Sequence, residues 1–311
     1  MIRIGIVGID TFAHLHAGVL LTNNNYEIAG CYSPDNRESM LFARKYRLVS
    51  YSSLEALFTY ADAIDIAGNF PEMMILAEKS LKRMKHVYIA QPNQLSLTEI
   101  QHLVKLSNES GAILQLGAGY RFCPAYEQLA ELKQKPRIVD IKHQLARNGE
   151  EAYTQLNTEL AYDLDLVLGV LHAEISKIDI KTWTKTEGQP DLLNCRLECD
   201  NGCSINIVLH TVTEGEPKLE LIFNLPDMVV NVNVFRSIIE KQYCEFDVVD
   251  SNVLEAYNEK NIHKQNLTNF YKAICGDQVA IIRIEEQLQS IAASNLIVER
   301  IRKMQSVVDY H

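Results

Sequence analysis

The stretch that decides the fold is IRIGIVGIDTFA, residues 2–13. Its first six residues form an almost continuous apolar run, which is typical of a β-strand covered on both faces of a parallel sheet. Gly8 follows, and from Ala13 onward apolar residues recur at helical spacing. We therefore predict a strand, a tight glycine turn and a helix in direct succession.

This strand–turn–helix context is the one that a dinucleotide-binding loop requires. Gly8 supplies the tight turn, and Ala13 fills the small-residue position where the helix meets the strand. Asp10 stands where such loops have a second glycine, so it brings bulk and negative charge toward a diphosphate. The free N–H groups of the helix start still favour an anion. Two interpretations follow: a dinucleotide site, or an α/β domain that kept the turn and lost the cofactor.

Residues that follow the predicted strands are expected to line the nucleotide crevice, because ligands of doubly wound sheets bind beyond the carboxyl ends of the strands. Ser33 takes the place of the acidic residue that binds ribose hydroxyls, and it also reads as a helix N-cap with Pro34 at the first helical position. Arg37 nearby would tolerate a 2′-phosphate, so the cofactor is NAD or NADP. The predicted cofactor-binding residues are Gly8, Ile9, Asp10, Thr11, Phe12, Ala13, Ser33, Ala67, Gly68, Asn69, Gln91 and Pro92.

Short apolar runs and helical patterns continue to alternate through residues 26–116, which predicts an α/β fold with a doubly wound parallel sheet. After Pro124 the pattern changes to several β-rich runs with few helices, which predicts an α+β domain on a mostly antiparallel, open sheet. We place the domain boundary near residue 120. Residues 1–120 form a Rossmann domain, and residues 121–311 form the second domain, whose last helix is a candidate to pack back on the first.

Composition excludes several classes of protein. The formal net charge is −10, which disfavours nucleic acid as a partner. No apolar run reaches the roughly 18 residues of a membrane span, and no signal-peptide pattern precedes the first strand. Seven cysteines, an odd number, then point to free thiols in the cytoplasm. The spacing of Cys195, Cys199 and Cys203 around a Gly202 turn predicts a hairpin with buried thiols, and we predict no metal site.

Several stretches together resemble the Gfo/Idh/MocA (glucose-fructose oxidoreductase, inositol dehydrogenase, rhizopine catabolism) family. They are residues 2–8, 85–92, 119–124, 162–166 and 269–276, in the family's order and spacing along the whole chain. The resemblance implies NAD(P)-dependent hydride transfer on a sugar, a cyclitol or a similar small substrate. It also implies a homo-oligomer, a dimer or tetramer, formed through the open sheet.

The resemblance implies a catalytic Lys, Asp and His, and all three positions differ in this chain. Gln91 stands for the Lys, Thr158 for the Asp and Tyr162 for the His. Alcohol oxidation needs a group that takes the hydroxyl proton with a pKa near the working pH. An amide cannot do this, and a phenol, with a pKa of about 10, can do so only if that pKa is strongly depressed. The candidate catalytic residues are Tyr162, Arg121 and Gln91.

Each candidate has a purely structural alternative. Gln91 either hydrogen-bonds a carboxamide or ribose, or it is a loop residue before Pro92. Tyr162 is a donor in a cleft or a packing residue, and Arg121 pairs with an anionic substrate or braces the two domains. The leading hypothesis is an oxidoreductase with altered acid/base residues. The alternatives are a non-catalytic dinucleotide- or sugar-sensing regulator, and a partner subunit on the same fold.

Four further side chains carry protons or charge. His14 and His16 follow the glycine turn, and we interpret both as surface or sheet-packing residues because helix neighbours two apart do not share a face. Lys142 and His143 alternate on a predicted strand, so only one of them faces the cleft.

Overall fold

The computed structural model describes residues 1–68, 71–147, 151–184, 190–244, 249–276, 282 and 284–308. The chain forms two compact units. The first comprises Met1–Ala118 with Glu259–Ile284, and the second comprises Gly119–Asn258 with Glu285–His311. Among the helices of the described residues, none combines the length and the apolar character needed to cross a membrane.

The first unit is built on a five-stranded parallel sheet in the order β2-β1-β3-β4-β5. Its strands are β1 (Ile2–Val7), β2 (Tyr26–Tyr32), β3 (Ala63–Ile66), β4 (His86–Ile89) and β5 (Leu114–Leu116). The chain runs outward from β1 to β2 and then returns to β3 on the other side of β1, so the strand order reverses between β1 and β3. This arrangement confirms the predicted doubly wound sheet and places its switch point, where such sheets bind ligands, beside the end of β1.

Nine α-helices are seen in the described residues. They are α1 (Thr11–Leu20), α2 (Asn36–Tyr46), α3 (Leu54–Phe58), α4 (Met73–Lys82), α5 (Leu97–Ser110), α6 (Pro124–Ala130), α7 (Ala152–Leu171), α8 (Glu259–Ile274) and α9 (Ile284–Val308). The start of α5 carries a reciprocal capping box between Ser96 and Glu99, and Gly111 ends it in the left-handed region with a φ of 70°. Local sequence signals therefore fix this helix at both ends.

Helix α8 belongs to the first unit although it follows the second sheet in sequence. Asn266 binds both backbone groups of Ala118: the Ala118 N–H donates to Oδ1 at 2.9 Å, and Nδ2 donates to the Ala118 carbonyl at 2.8 Å. The Tyr26 hydroxyl donates to the Leu267 carbonyl at 2.7 Å. Leu267 and Phe270 are fully buried in the first unit's core. The helix is thus held by buried polar contacts as well as by apolar burial.

The second unit is built on an eight-stranded sheet in the order β13-β12-β11-β10-β6-β9-β8-β7. Its strands are β6 (Ile138–Ala146), β7 (Ile175–Trp183), β8 (Leu192–Cys199), β9 (Ser204–Val212), β10 (Lys218–Asn224), β11 (Met228–Asn233), β12 (Ile238–Tyr243) and β13 (Val249–Val253). Only the β6–β9 pair is parallel, so the predicted mostly antiparallel sheet is confirmed. The predicted β-rich runs did not include β12 or β13. Strand β13 forms one edge of the sheet and buries none of its residues, and β12 beside it buries only Ile239.

One face of this sheet is apolar and buried, and α7 contributes to the same core through Leu156, Leu160 and Leu164. The last helix, α9, belongs to this second unit, where Arg300 donates to the Ile178 carbonyl at 2.9 Å. Of the two C-terminal helices, α8 therefore belongs to the first unit and α9 to the second. Position in the sequence could not distinguish them, because both helices carry an apolar face.

The cysteine-rich stretch forms the predicted hairpin. Strands β8 and β9 pair antiparallel, and Gly202 makes the turn with a φ of 80°. Burial raises the pKa of Cys195 and Cys199 to about 12 and that of Cys203 to about 11. These thiols stay protonated at neutral pH and act as small core side chains.

Candidate functional site

The turn after β1 has the geometry that its sequence predicts. Gly8 has a φ of 79°, a left-handed conformation that a side chain would strain. Its N–H donates to the Tyr32 carbonyl at 3.1 Å, and α1 begins three residues later, at Thr11. Ala13 is fully buried where this helix meets the sheet. A strand, a glycine turn and a helix N-terminus therefore follow one another at the switch point.

Asp10 caps this helix. Its carboxylate Oδ1 accepts from the Phe12 N–H at 2.8 Å and from the Ala13 N–H at 3.1 Å. These are two of the four N–H groups that a helix start leaves without an intrahelical partner, and they are groups that a dinucleotide loop offers to a diphosphate. The turn and the small residue fit a dinucleotide, whereas the Asp10 carboxylate in this position does not fit a diphosphate on the same two amides.

The loop after β3 lies against the loop after β1. A Cβ placed on Gly68 would lie 3.1 Å from the Gly8 carbonyl carbon and 3.4 Å from the Asp10 carboxyl carbon. Only a residue without a side chain therefore fits here without moving its neighbours. Ala67, the residue before Gly68 in the sequence, is fully buried. The predicted site residue Asn69 lies outside the described residues.

Ser33 is buried after β2, but it does not cap the next helix. The N-cap of α2 is Asp35, whose carboxylate accepts from the Arg37 N–H at 2.8 Å and from the Glu38 N–H at 3.4 Å. The prediction of a Ser33 cap is therefore wrong. Asp and Ser are equally good N-cap residues, and the N-cap of this helix is the later of the two, Asp35.

Gln91 follows β4 and leads into a single 3₁₀ turn, Pro92–Gln94. The residue is 8% exposed, and its Oε1 atom has no hydrogen-bond partner among the residues that the structure describes. A buried amide oxygen without a donor is costly, at about 1–3 kcal/mol. The cost would be offset by a ligand that brings an N–H or O–H group to this atom.

Tyr162 lies on α7 in the second unit and is half-buried. Its ring covers Gly119, where a Cβ would lie 2.5 Å from the Tyr162 Cγ atom. It also packs edge-on against Tyr120, whose hydroxyl donates to Glu159 at 2.7 Å. The ring is therefore fixed by packing.

Arg121, 5% exposed, is held between two carboxylates of the second unit. Its guanidinium lies 3.0 Å from Asp165 and 2.8 Å from Glu286. Gly169 leaves the space for it, since a Cβ there would lie 2.8 Å from the Arg121 Cζ atom. Burial raises the pKa of Asp165, which the Arg121 charge counters. Asp165 is thus the buried ion-pair partner of Arg121.

A buried His–Asp pair lies in the same unit. His143 Nδ1 is 2.7 Å from Asp163 Oδ2, and both side chains are buried. Burial opposes the charge on His143, but Asp163 and Glu159 outweigh it and raise the pKa of His143. The alternation of side chains along β6 decides which of the two neighbours is buried. His143 shares the buried face with Ile141, and Lys142 faces away from the core.

The first unit holds a second buried histidine cluster, which sequence analysis did not identify. His16 on α1 is fully buried, its Nδ1 lies 2.8 Å from Asp65 of β3, and its Nε2 lies 2.9 Å from Nδ1 of His263 on α8. The His263 ring packs edge-on against Phe12, with ring centres 5.4 Å apart. His14 is half-exposed and bonds to the Tyr46 hydroxyl at 3.0 Å. The interpretation of His16 as a sheet-packing residue is thus incomplete, because it pairs with a buried carboxylate.

Comparison with known proteins agrees with this architecture. Residues 2–118 match the model of the Gfo/Idh/MocA oxidoreductase family with an NAD-binding Rossmann fold. The putative oxidoreductase YceM of Salmonella typhimurium is 26% identical over 129 residues, which are 41% of this chain and 42% of YceM. In that match the chain therefore spans less than half of the relative's length.

A second relative is similar over more of its length. The UDP-N-acetylglucosamine 3-dehydrogenase of Acidithiobacillus ferrooxidans is 21% identical over 223 residues, 71% of each protein. Its solved structure matches 95% of this chain and 96% of its own, with a TM-score of 0.85 at 18% identity. Biliverdin reductase from Synechocystis, solved with biliverdin and NADP⁺, matches 96% of this chain and 98% of its own, with a TM-score of 0.79 at 13% identity. These likenesses confirm the fold.

Proposed function

Since the Rossmann domain of this chain, residues 2–118, belongs to the Gfo/Idh/MocA oxidoreductase family, which is NAD-binding, we propose that the protein is an NAD- or NADP-dependent oxidoreductase. Its substrate is a sugar, a cyclitol or another small carbonyl or hydroxy compound. The observation that carries the proposal is the Gly8 turn at the switch point of a sheet with this family match. Its −10 charge argues against a nucleic-acid partner, and we place it in the cytoplasm.

The first unit supplies the groups that would hold the nucleotide. The backbone from Gly8 to Ala13 would hold the diphosphate once the Asp10 carboxylate is displaced from the Phe12 and Ala13 amides, and Ser33 would lie at the ribose position after β2. The Oε1 atom of Gln91, which has no partner among the described residues, would accept from the nicotinamide carboxamide. When bound, the nucleotide gives or takes the hydride, and the chain's own residues manage position and protons.

Proton handling falls to residues that differ from the usual ones. An amide at Gln91 takes up no proton, whereas the Tyr162 hydroxyl can donate a hydrogen bond to a developing alkoxide. This combination suits hydride addition to an electrophilic carbonyl, where a neutral donor is sufficient. Arg121 is given a positioning role, because its guanidinium already faces Asp165 and Glu286.

A sugar is the preferred substrate class. Support comes from the similarity to UDP-N-acetylglucosamine 3-dehydrogenase, which extends over most of both chains. A binding titration of NADH and NADPH by calorimetry tests cofactor binding. Nicotinamide absorbance then tests turnover, with free sugars, nucleotide sugars and cyclitols as hydride donors to NAD⁺ or NADP⁺, and with their keto forms as hydride acceptors from NADH or NADPH. We expect binding of one cofactor and turnover with one of the three classes.

A non-catalytic dinucleotide- or sugar-sensing regulator is the second candidate. The replaced Lys, Asp and His positions favour it. The Asp10 carboxylate on the helix amides instead favours a partner subunit that has lost the cofactor. Binding of a dinucleotide without turnover on any substrate would support the regulator. Failure of both NADH and NADPH to bind would reject the oxidoreductase and the dinucleotide-sensing regulator, and would leave a sugar-sensing regulator or a partner subunit that has lost the cofactor.

We also propose that copies of the chain associate through the open face of the second sheet. Ile138, Leu192 and Val208 are exposed on the face opposite to the buried core, and Trp183 pairs with Leu192 at the sheet's edge. Exposed apolar residues on one face are typical of an association surface. Light scattering should show a dimer or tetramer, and Val208→Glu should shift it toward the monomer.

A further inference from the structure

Two aspartates of the first unit cap their helices in the same way. Asp10 accepts from the N–H groups two and three residues ahead, at 2.8 and 3.1 Å, and Asp35 does so at 2.8 and 3.4 Å. Only Asp10 stands in the loop between β1 and α1. The two residues therefore separate the effect of a capping carboxylate from the effect of its position.

The Asp10 carboxyl group lies at the switch point of the sheet. Its carboxyl carbon would be 3.4 Å from a Cβ on Gly68, the residue that follows β3 and Ala67. Because β1 and β3 are the two strands between which the strand order reverses, the ligand crevice of this sheet opens at their carboxyl ends. The carboxylate therefore lies beside both loops, where such sheets bind the negative charge of a ligand.

A diphosphate needs the same donors. Each N–H makes one good hydrogen bond, so an oxygen of the diphosphate can bind the Phe12 and Ala13 amides only after the carboxylate leaves them. The two anions also repel each other at close range, and a site between packed loops screens that repulsion less than water does.

We propose that Asp10 is an internal substitute for the diphosphate and sets a low affinity of this chain for its dinucleotide. The inference rests on the proposed function and concerns one residue of that same site. An anion that belongs to the chain keeps the helix start satisfied without a ligand, and a bound nucleotide has to displace it. Occupancy then follows the concentration of the nucleotide, so the protein is not permanently loaded.

The test compares Asp10→Asn with Asp35→Asn. Asparagine keeps an oxygen that can cap the helix, so both variants retain the cap and lose only its charge. Affinity for NADH and NADPH is measured by calorimetry, and folding is checked by circular dichroism and melting temperature. We expect Asp10→Asn to bind at least about tenfold more tightly than the unmodified chain, because a like charge at close range is removed. Asp35→Asn should change the affinity for NADH by less than about twofold, because its carboxylate lies outside the loop between β1 and α1. The comparison uses NADH, because Asp35 adjoins Arg37 and a 2′-phosphate would sense its charge.

Two results would overturn the inference in distinguishable ways. Equal affinities of the unmodified chain and Asp10→Asn would show that the carboxylate does not oppose the diphosphate, while the proposed function stands. No binding by the unmodified chain, Asp10→Asn or Asp10→Gly would show that Asp10 is not the barrier and would reject the proposed function as well. Asp10→Ser, which also keeps a capping oxygen without charge, replaces Asp10→Asn if that variant does not fold.

Discussion

The Nε2 atom of His16 lies 2.9 Å from Nδ1 of His263, a residue 247 positions further along the chain. The other nitrogen of His16 lies 2.8 Å from Asp65, which is fully buried. A buried carboxylate needs a neutralising partner, and His16 is that partner. The hydrogen-bonded side chains of Asp65, His16 and His263 connect β3, α1 and α8. Helix α8, which comes late in the sequence, is therefore held against β3 and α1 of the first unit.

This cluster predicts a loss of stability in mild acid. Burial and the charge of His16 lower the pKa of His263 to about 3. The unfolded chain protonates this imidazole near pH 6.5, so below that pH the unfolded state gains the proton first. Above about pH 6.5 the buried His263 imidazole therefore costs the fold no free energy through protonation. Between about pH 6.5 and pH 3 the free energy of unfolding falls progressively, because only the unfolded chain binds this proton. Urea unfolding between pH 7 and 5 should show His263→Gln losing about 1–2 kcal/mol less than the unmodified chain.

His102 gives the matched control, because its side chain is 46% exposed and its nearest carboxylate, Glu78, is 3.7 Å away. His102→Gln should keep the slope of the unmodified chain. The other titratable groups around His263 belong to or adjoin the same cluster: His16 contacts Asp65, and its ring packs against Tyr88. An unchanged slope in His263→Gln would show that its titration does not limit stability.

Loss of the Arg121 guanidinium should destabilise the second unit. Arg121→Met leaves Asp165 buried without its cation, which costs about 3–5 kcal/mol in comparable buried pairs. Arg196→Met removes an exposed partner of Glu198 and should cost less than about 1 kcal/mol. Denaturant unfolding measures both. If Arg121→Met is as stable as Arg196→Met and loses only turnover, Arg121 belongs to the catalytic residues and not to the scaffold.

Removal of the Tyr162 hydroxyl should slow turnover. If this group donates its proton to the reacting oxygen, Tyr162→Phe lowers kcat by about 10²-fold or more, and cofactor affinity is unchanged. Tyr153→Phe on the same helix is the control and should keep the rate. Unchanged turnover in Tyr162→Phe would assign its ring to packing on Gly119 and Tyr120 alone.

The unpartnered Gln91 oxygen predicts a cofactor contact. Gln91→Ala should weaken NADH binding by about two- to tenfold, the value of one hydrogen bond. Gln115 is a buried glutamine whose amide is fully engaged, donating to the Asn266 carbonyl and accepting from Asn269. Gln115→Ala should lower the melting temperature and leave affinity unchanged. Equal NADH affinities of Gln91→Ala and the unmodified chain would make Gln91 a plain loop residue.

Local sequence determined much of this protein. Apolar periodicity predicted the alternating strands and helices of residues 26–116, and glycine predicted the turns at Gly8 and Gly202. The capping box of Ser96 and Glu99 at the start of α5 is a signal of the same local kind. Such signals act over a few residues, so they are readable in one dimension. Where two local caps competed, as at Ser33 and Asp35, the sequence alone did not choose correctly.

Only the tertiary structure decided the buried charges. His16 with Asp65 and His263, His143 with Asp163, and Arg121 with Glu286 join residues far apart in sequence. A charge is stable in a core only beside its partner, and that partner is supplied by whichever strand or helix the fold brings next to it. Asp10 shows the same limit, because its residue type was plain in the sequence, whereas the position of its carboxylate on the Phe12 and Ala13 amides required the folded loop.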